Sequence, residues 1–265
     1  MSKDMNIIVC IKQVPETTEV DFDEETGRLK REGVAAVVNP FDEYAIEEGI
    51  RLKEKFGGTV KVLSMGPPQA ESALRDAIAM GADEAYLATD RAFAGADTWA
   101  TSYTLGLSIQ KLAPYDLVIC GMKTIDGDTG QVGPELAHQL GVPHVCYVNE
   151  ILEITGEEIR LTRLLDDRVE TLEASLPIVI SVSKNINQPR LATLRGRLNA
   201  KKTEIHKITS NDLEADPMRL GLNGSPTRVV KIFTPARQTA GDIVEGSPEE
   251  LTDRILQKLV ECKVI

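Results

Sequence analysis

The stretch from Tyr115 to Gly141, Y-D-L-V-I-C-G-M-K-T-I-D-G-D-T-G-Q-V-G-P-E-L-A-H-Q-L-G, constrains this chain more than any other. Leu117 to Cys120 form a short apolar run between an Asp and a Gly, the pattern of a buried strand. From Val132 the apolar spacing changes, so that Val132, Leu136, Ala137 and Leu140 share one helical face. Gly141 and Pro143 end that helix. Between strand and helix lies a loop of Gly, Asp and Thr. A helix start offers unpaired N–H groups and partial positive charge, and glycines let an anion come close to them. A phosphate is the group expected there. The bland alternative is a strand-to-helix turn in which Asp128 or Thr129 only caps the helix.

Other readings of the loop fail. No Gly-Lys-Ser/Thr follows, and G-x-G-x-x-G is absent. Asp126 and Asp128 are spaced as in a calcium loop, but its sixth position is Gln131 and its twelfth is Ala137. The three histidines lack metal spacing, and Cys10, Cys120, Cys146 and Cys262 form no C-x-x-C pair, so no metal is expected. Three of these thiols lie in apolar, strand-like surroundings, which suits reduced cysteines and a cytoplasmic location. A net charge of -11 over 265 residues argues against nucleic acid as a partner. No apolar run approaches the ~20 residues of a membrane span, and the Met1-Ser2-Lys3-Asp4 start lacks a signal-peptide core.

Upstream, buried strands alternate with helices. Asn6 to Ile11 is a strand, and residues 16 to 33 read as a surface hairpin. Asp42 is expected to cap a helix opened by Asn39-Pro40, with Phe41 stapled onto Ile46. Thr59 to Met65 is the second strand. A helix follows from about Gln69 to Met80, then a short strand at Ala85 to Ala88, and Asp97-Thr98 cap the helix that carries Trp99. Such alternation predicts an α/β fold with a mostly parallel, doubly wound sheet, which binds ligands beyond the carboxyl ends of its strands. Those ends are Cys10-Ile11-Lys12, Ser64-Met65-Gly66 and Gly121-Met122-Lys123.

After Pro143 four β-rich segments extend the sheet in mixed orientation: Val145 to Ile154, Glu158 to Leu165, Arg168 to Ala174 and Pro177 to Val182. Residues 184 to 202 contain no acid. Leu191-Ala192-Thr193-Leu194 sits there among cations, which suggests a loop that docks an acidic partner. Residues 208 to 246 read as an extended arm. Ser247-Pro248-Glu249-Glu250 then starts a terminal helix with Leu251, Ile255, Leu259 and Cys262 on one stripe. The expected division is a nucleotide-binding domain over 1–207 and an arm with its helix over 208–265.

Together these stretches resemble the β subunit of electron-transfer flavoproteins. The resemblance rests on V-C-I-K-Q-V-P (Val9 to Pro15), N-P-F-D-E-Y-A-I-E-E (Asn39 to Glu48), A-M-G-A-D (Ala79 to Asp83), G-M-K-T-I-D-G-D-T-G-Q-V-G-P (Gly121 to Pro134) and P-R-L-A-T-L (Pro189 to Leu194). The last, which precedes A-K-K (Ala200 to Lys202), is highly specific, and Arg168 departs from the pattern. The resemblance implies a heterodimer with an α subunit. It also implies a β-chain site for AMP in conventional members, or for a second FAD in electron-bifurcating ones. There FAD takes a hydride from NADH and divides the electrons between ferredoxin and a flavin-dependent dehydrogenase of the acyl-CoA or 2-hydroxy acid type. The direct run D-G-D-T-G-Q-V-G-P is similar to the bifurcating type. By the same resemblance Cys10 and Met65 flank the adenine, and Asn39 and Asp42 line the ribose. Thr129, Gly130, Gln131, Val132 and Gly133 hold the pyrophosphate, while Gly121, Lys123, Asp126 and Asp128 belong to the same loop. Asp97, Thr98 and Thr101 lie on the neighbouring helix start. Arg190, Leu191, Leu194, Arg195 and Arg197 dock the dehydrogenase. No catalytic acid or base is implied, since flavin carries the chemistry. An ATP-turning-over protein on a similar domain, or an empty scaffold, are the readings of other classes.

Overall fold

Parallel neighbours need a crossover between them, and the first half of the chain supplies a helix for each. The computed structural model of the chain describes residues 4–16, 36–230 and 243–265. Strand β1 (Met5–Ile11) is followed by a small antiparallel pair, β2 (Gln13–Pro15) and β3 (Ala36–Val38). Next come α1 (Pro40–Phe56), β4 (Gly58–Met65), α2 (Glu71–Met80), β5 (Glu84–Ala88) and α3 (Thr98–Lys111). The central unit is β6 (Leu117–Gly121) and α4 (Val132–Leu140). Then follow β7 (His144–Thr155), β8 (Glu158–Leu164), β9 (Val169–Ser175), β10 (Ile178–Val182), α5 (Leu194–Lys202), β11 (Ile205–Ile208) and α6 (Pro248–Glu261). The hairpin expected at 16 to 33 falls almost wholly outside the described residues.

The main sheet has the order β11-β5-β4-β1-β6-β10-β7-β8-β9, and only β8 runs against the other strands, so that its pairings with β7 and β9 are antiparallel. The fold is thus α/β with the mixed edge that the segments after Pro143 predict. From β1 the chain builds outward through β4 and β5, then returns to place β6 on the other side of β1. The order reverses between β1 and β6, where open sheets of this kind form a crevice. Alternation along the strands divides the core. Ile7, Val9, Leu117 and Ile119 face α1 and α2, whereas Ile8, Cys10, Val118 and Cys120 face α3 and α4.

Several details differ from the sequence reading. Asp42 does not cap α1. That helix begins at Pro40 after Asn39, no side chain caps it, and Asp42 is buried inside its first turn. The stretch 184–202 is not a free loop throughout, because Leu194 to Lys202 form α5, capped by Thr193 and packed on α2. β11 adds a strand beside β5 that apolar patterning over four residues does not reveal. The residues after it are no free arm: Leu213 and Leu220 are buried, and the first compact unit extends to Val229 rather than to 207. The second unit, Val230–Ile265, contains α6 with the expected capping box between Ser247 and Glu250.

Arg190 also has an unexpected setting. Its guanidinium binds Glu47 at 2.8 Å and Glu54 at 2.6 Å, two residues of α1. The Glu47 side chain is only 6% exposed, and a buried carboxylate stripped of its partner is costly. Arg190→Ala should therefore lower stability by about 2–3 kcal/mol in a denaturant titration. Leu191, 93% exposed, should tolerate Ala within about 0.5 kcal/mol. Equal losses for the two variants would contradict this division.

Candidate functional site

Five parallel strands, β1, β4, β5, β6 and β10, end on one cavity of about 1030 Å³. Its floor is Cys10 and Cys120, which are register partners on β1 and β6 and are both buried. β4 contributes Met65 and the Gly66-Pro67-Pro68 turn. The segment after β5 contributes residues 89–91 and 93–98, and α3 adds Thr101. The opposite wall is the β6–α4 loop, with Gly121, Lys123, Thr129, Gly130, Gln131, Val132 and Gly133.

The loop is shaped for close approach to backbone. Gly130 has a positive φ of 64°, a region open to glycine at little cost. A Cβ on Gly133 would stand 3.3 Å from His144 Nε2, so the helix start is packed tightly onto β7. No side chain caps α4. Among the described residues the N–H groups of Gly130, Gln131, Val132 and Gly133 find no acceptor within the chain. A run of unpaired amides at a helix start is what a phosphate binds. His144, beneath Gly133, is kept neutral because burial lowers its pKa to about 4. It adds no positive charge to the site.

Three of the expected ligand residues do not line the cavity but hold the loop that does. Asn39, fully buried, donates from Nδ2 to the Lys123 carbonyl and accepts from the Ile125 N–H through Oδ1. Asp126 pairs with Lys12 at 2.6 Å, and Asp128 pairs with Lys123 at 2.6 Å. Asp97 is split between two tasks: it caps α3 through the Ala100 N–H and accepts from Thr227 N and Oγ1. Thr98 Oγ1 meets Glu135 at 3.1 Å, tying α3 to α4. The residues expected to dock a partner lie apart from the cavity. Leu191 and Leu194 are 93% and 77% exposed, and Arg195 and Arg197 are exposed on α5.

Asp42 lies at the crossing of β1, β6 and α1. Its Oδ2 accepts the Lys12 N–H at 2.7 Å. Gly121 leaves it room, since a Cβ there would collide with Asp42 Oδ1 and the Phe41 backbone. Burial pushes its pKa up to about 7, against the pull of Asn39 and Lys12. Sequence reading missed the wall from Thr89 to Ala96, and Ser181 of β10. These residues carry no motif, and only the sheet order brings them to the cavity.

The electron transfer flavoprotein domain model matches residues 26–213. An electron transfer flavoprotein subunit beta of Thermoanaerobacterium thermosaccharolyticum is 50% identical over 98% of this chain and 100% of its own length. The chain belongs to the electron transfer flavoprotein β-subunit family. Other relatives include the caffeyl-CoA reductase-Etf complex subunit CarD of Acetobacterium woodii, 43% identical over 98% of this chain and 100% of its own. The acryloyl-CoA reductase electron transfer subunit gamma of Anaerotignum propionicum is 37% identical with the same coverage. Membership gives the chain its general role, that of a β subunit in an electron-transferring flavoprotein complex. Among the described residues, no helix is long and apolar enough to cross a membrane.

A pH test follows from Asp42. Between the ordinary carboxylate range and about pH 7 the folded chain retains a proton that the unfolded chain has released. Stability contributed by this group is therefore full in acid and declines as pH rises through that window. Asp42→Asn should flatten the decline by up to about 1.4 kcal/mol per pH unit. Denaturant titrations from about pH 5 to pH 8 read it, and parallel profiles would contradict it. Glu43, Glu48, Asp76 and Glu135, also raised by burial, contribute a slope of the same sign.

Proposed function

We propose that this chain is the β subunit of an electron-bifurcating flavoprotein, with FAD in the cavity described above. The observation that carries this is size. At about 1030 Å³ the cavity stands at the top of the range for small-molecule sites, roughly 300–1,000 Å³. AMP would leave much of it unfilled. A flavin dinucleotide can place its diphosphate on the amides at the start of α4 and extend along the strand ends. Bound there, the flavin would supply hydride acceptance from NADH and division of the two electrons between ferredoxin and a partner flavin dehydrogenase.

The chain's own residues bind and orient. Gly130 to Gly133 present amides to the diphosphate, and Asn39 fixes the loop that carries them. Cys10 and Met65 give a small, apolar floor for the adenine. No side chain is required to take or give a proton in the hydride step. The relatives named for caffeyl-CoA and acryloyl-CoA reductases support an acyl-CoA type of dehydrogenase as the terminal partner, with a 2-hydroxy acid type as the other possibility. Leu191 and Leu194, bare of cover and flanked by Arg195 and Arg197, form the docking edge. The α subunit completes a heterodimer, and the unit Val230–Ile265, with Ile255, Leu256 and Val260 exposed on α6, packs on it. The assembly is cytoplasmic.

Denaturing the purified heterodimer and identifying its released nucleotides tests the reading. Two FAD per heterodimer are expected; one FAD with one AMP would instead mark a conventional β subunit. Gly133→Val, which places a branched side chain against His144 and the cradle, should cut nucleotide retained by this chain by about tenfold or more. Its α-chain FAD should be unaffected, and full retention by the variant would contradict the assigned cradle.

A further inference from the structure

Three cations line the cavity: Lys12, Arg91 and Lys123. Two are already neutralised, Lys12 by Asp126 and Lys123 by Asp128. Arg91 has no carboxylate partner among the described residues. It nevertheless sits on a firmly braced wall. Before it, the Thr89 N–H donates to the Ile208 carbonyl at 2.9 Å. Its neighbour Asp90 accepts from Ser210 N at 3.1 Å, Ser210 Oγ at 2.7 Å and Ala92 N at 3.0 Å. After it, Phe93 is buried and the Leu222 N–H donates to the Ala94 carbonyl at 3.0 Å. Gly221, with a φ of 50°, packs so closely that a Cβ would strike the carbonyls of Ala92 and Ala94. The segment after β11 thus fixes the backbone on both sides of one uncompensated guanidinium.

Position adds to this. Arg91 follows β5 and the α4 amides follow β6, with β4 and β1 between them. Three strand spacings, about 14 Å, separate the backbone at Arg91 from the α4 amides, so the two lie on opposite walls of the cavity. The cavity therefore has two poles for negative charge, one made of amides and the other of a guanidinium.

We infer that Arg91 is the second anion-binding residue of this cleft, receiving the diphosphate of the pyridine dinucleotide that delivers the hydride. The inference rests on the proposed reading of the cleft as a flavin site. A guanidinium binds phosphate oxygens with paired, charge-assisted hydrogen bonds, and one mounted at the rim suits a ligand that enters and leaves at every turnover. The resident dinucleotide is the other source of the same chemistry, and the test separates the two.

The experiment uses the purified heterodimer as wild type, Arg91→Ala and Arg91→Lys. Each is assayed for released FAD and AMP, and for the equilibrium binding of NAD by flavin absorbance. Arg91→Ala should keep the wild-type FAD content while its NAD dissociation constant rises about tenfold or more. Arg91→Lys should recover part of the loss, and salt should weaken NAD binding less in Arg91→Ala than in wild type. NAD affinity within about twofold of wild type would overturn the assignment. So would loss of FAD from the variant, which would give Arg91 to the resident dinucleotide. One FAD plus AMP in the wild type itself would show that the flavin reading had failed, and the inference with it.

Discussion

Unpaired amide groups at the start of α4 are the constraint on which the rest of the molecule depends. Backbone N–H groups without acceptors are costly when shielded from water, and a helix that ended on its own cap would need no ligand. Here no side chain caps α4, and glycines at 130 and 133 keep the approach clear. The surrounding structure holds this arrangement rather than relieving it. Asn39 grips the loop from α1, His144 lies beneath Gly133, and Glu135 links α4 to Thr98 on α3. The sheet reversal between β1 and β6 then opens a crevice at that helix start.

The electrostatics agree with the geometry. A chain with a net charge of -11 must create local conditions for an anion. On the proposed reading it does so with the α4 amides, with lysines that are already paired and with the single guanidinium of Arg91, rather than with a broad basic surface. The pairs Lys12–Asp126 and Lys123–Asp128 anchor the loop without making a strongly positive pocket. Asp42, buried beside the floor, is held toward its neutral form, so its carboxyl group opposes an incoming anion less than a fully ionised one would. Such a site selects by shape and backbone contact, which suits a cofactor that supplies its own chemistry.

Much of this was legible in the sequence because its determinants are local. Leu117 to Cys120, the Gly and Thr loop and the spacing from Val132 define strand, cradle and helix within one stretch. The β-rich run after Pro143 and the Ser247 capping box are equally local. Long-range partners were not legible. Asp42 looked like a cap, since Asp is favoured at helix starts, but its carboxylate answers the Lys12 amide thirty positions away in the chain. Arg190 looked like part of a docking loop, and only the fold brings it to Glu47 and Glu54. The wall from Thr89 to Ala96 has no periodicity of its own. Residues 208–229 shape that wall through single hydrogen bonds from Ser210, Leu222 and Ser225, which no pattern announces.

The central claim is that the amides of Gly130 to Gly133 grip the diphosphate of a dinucleotide. An experimental structure of the heterodimer with its native nucleotides tests it most directly. The account predicts diphosphate oxygens within about 3.2 Å of those nitrogens, with the remainder of an FAD running across the ends of β1 and β4. Diphosphate bound elsewhere, or a side chain occupying those amides, would contradict it.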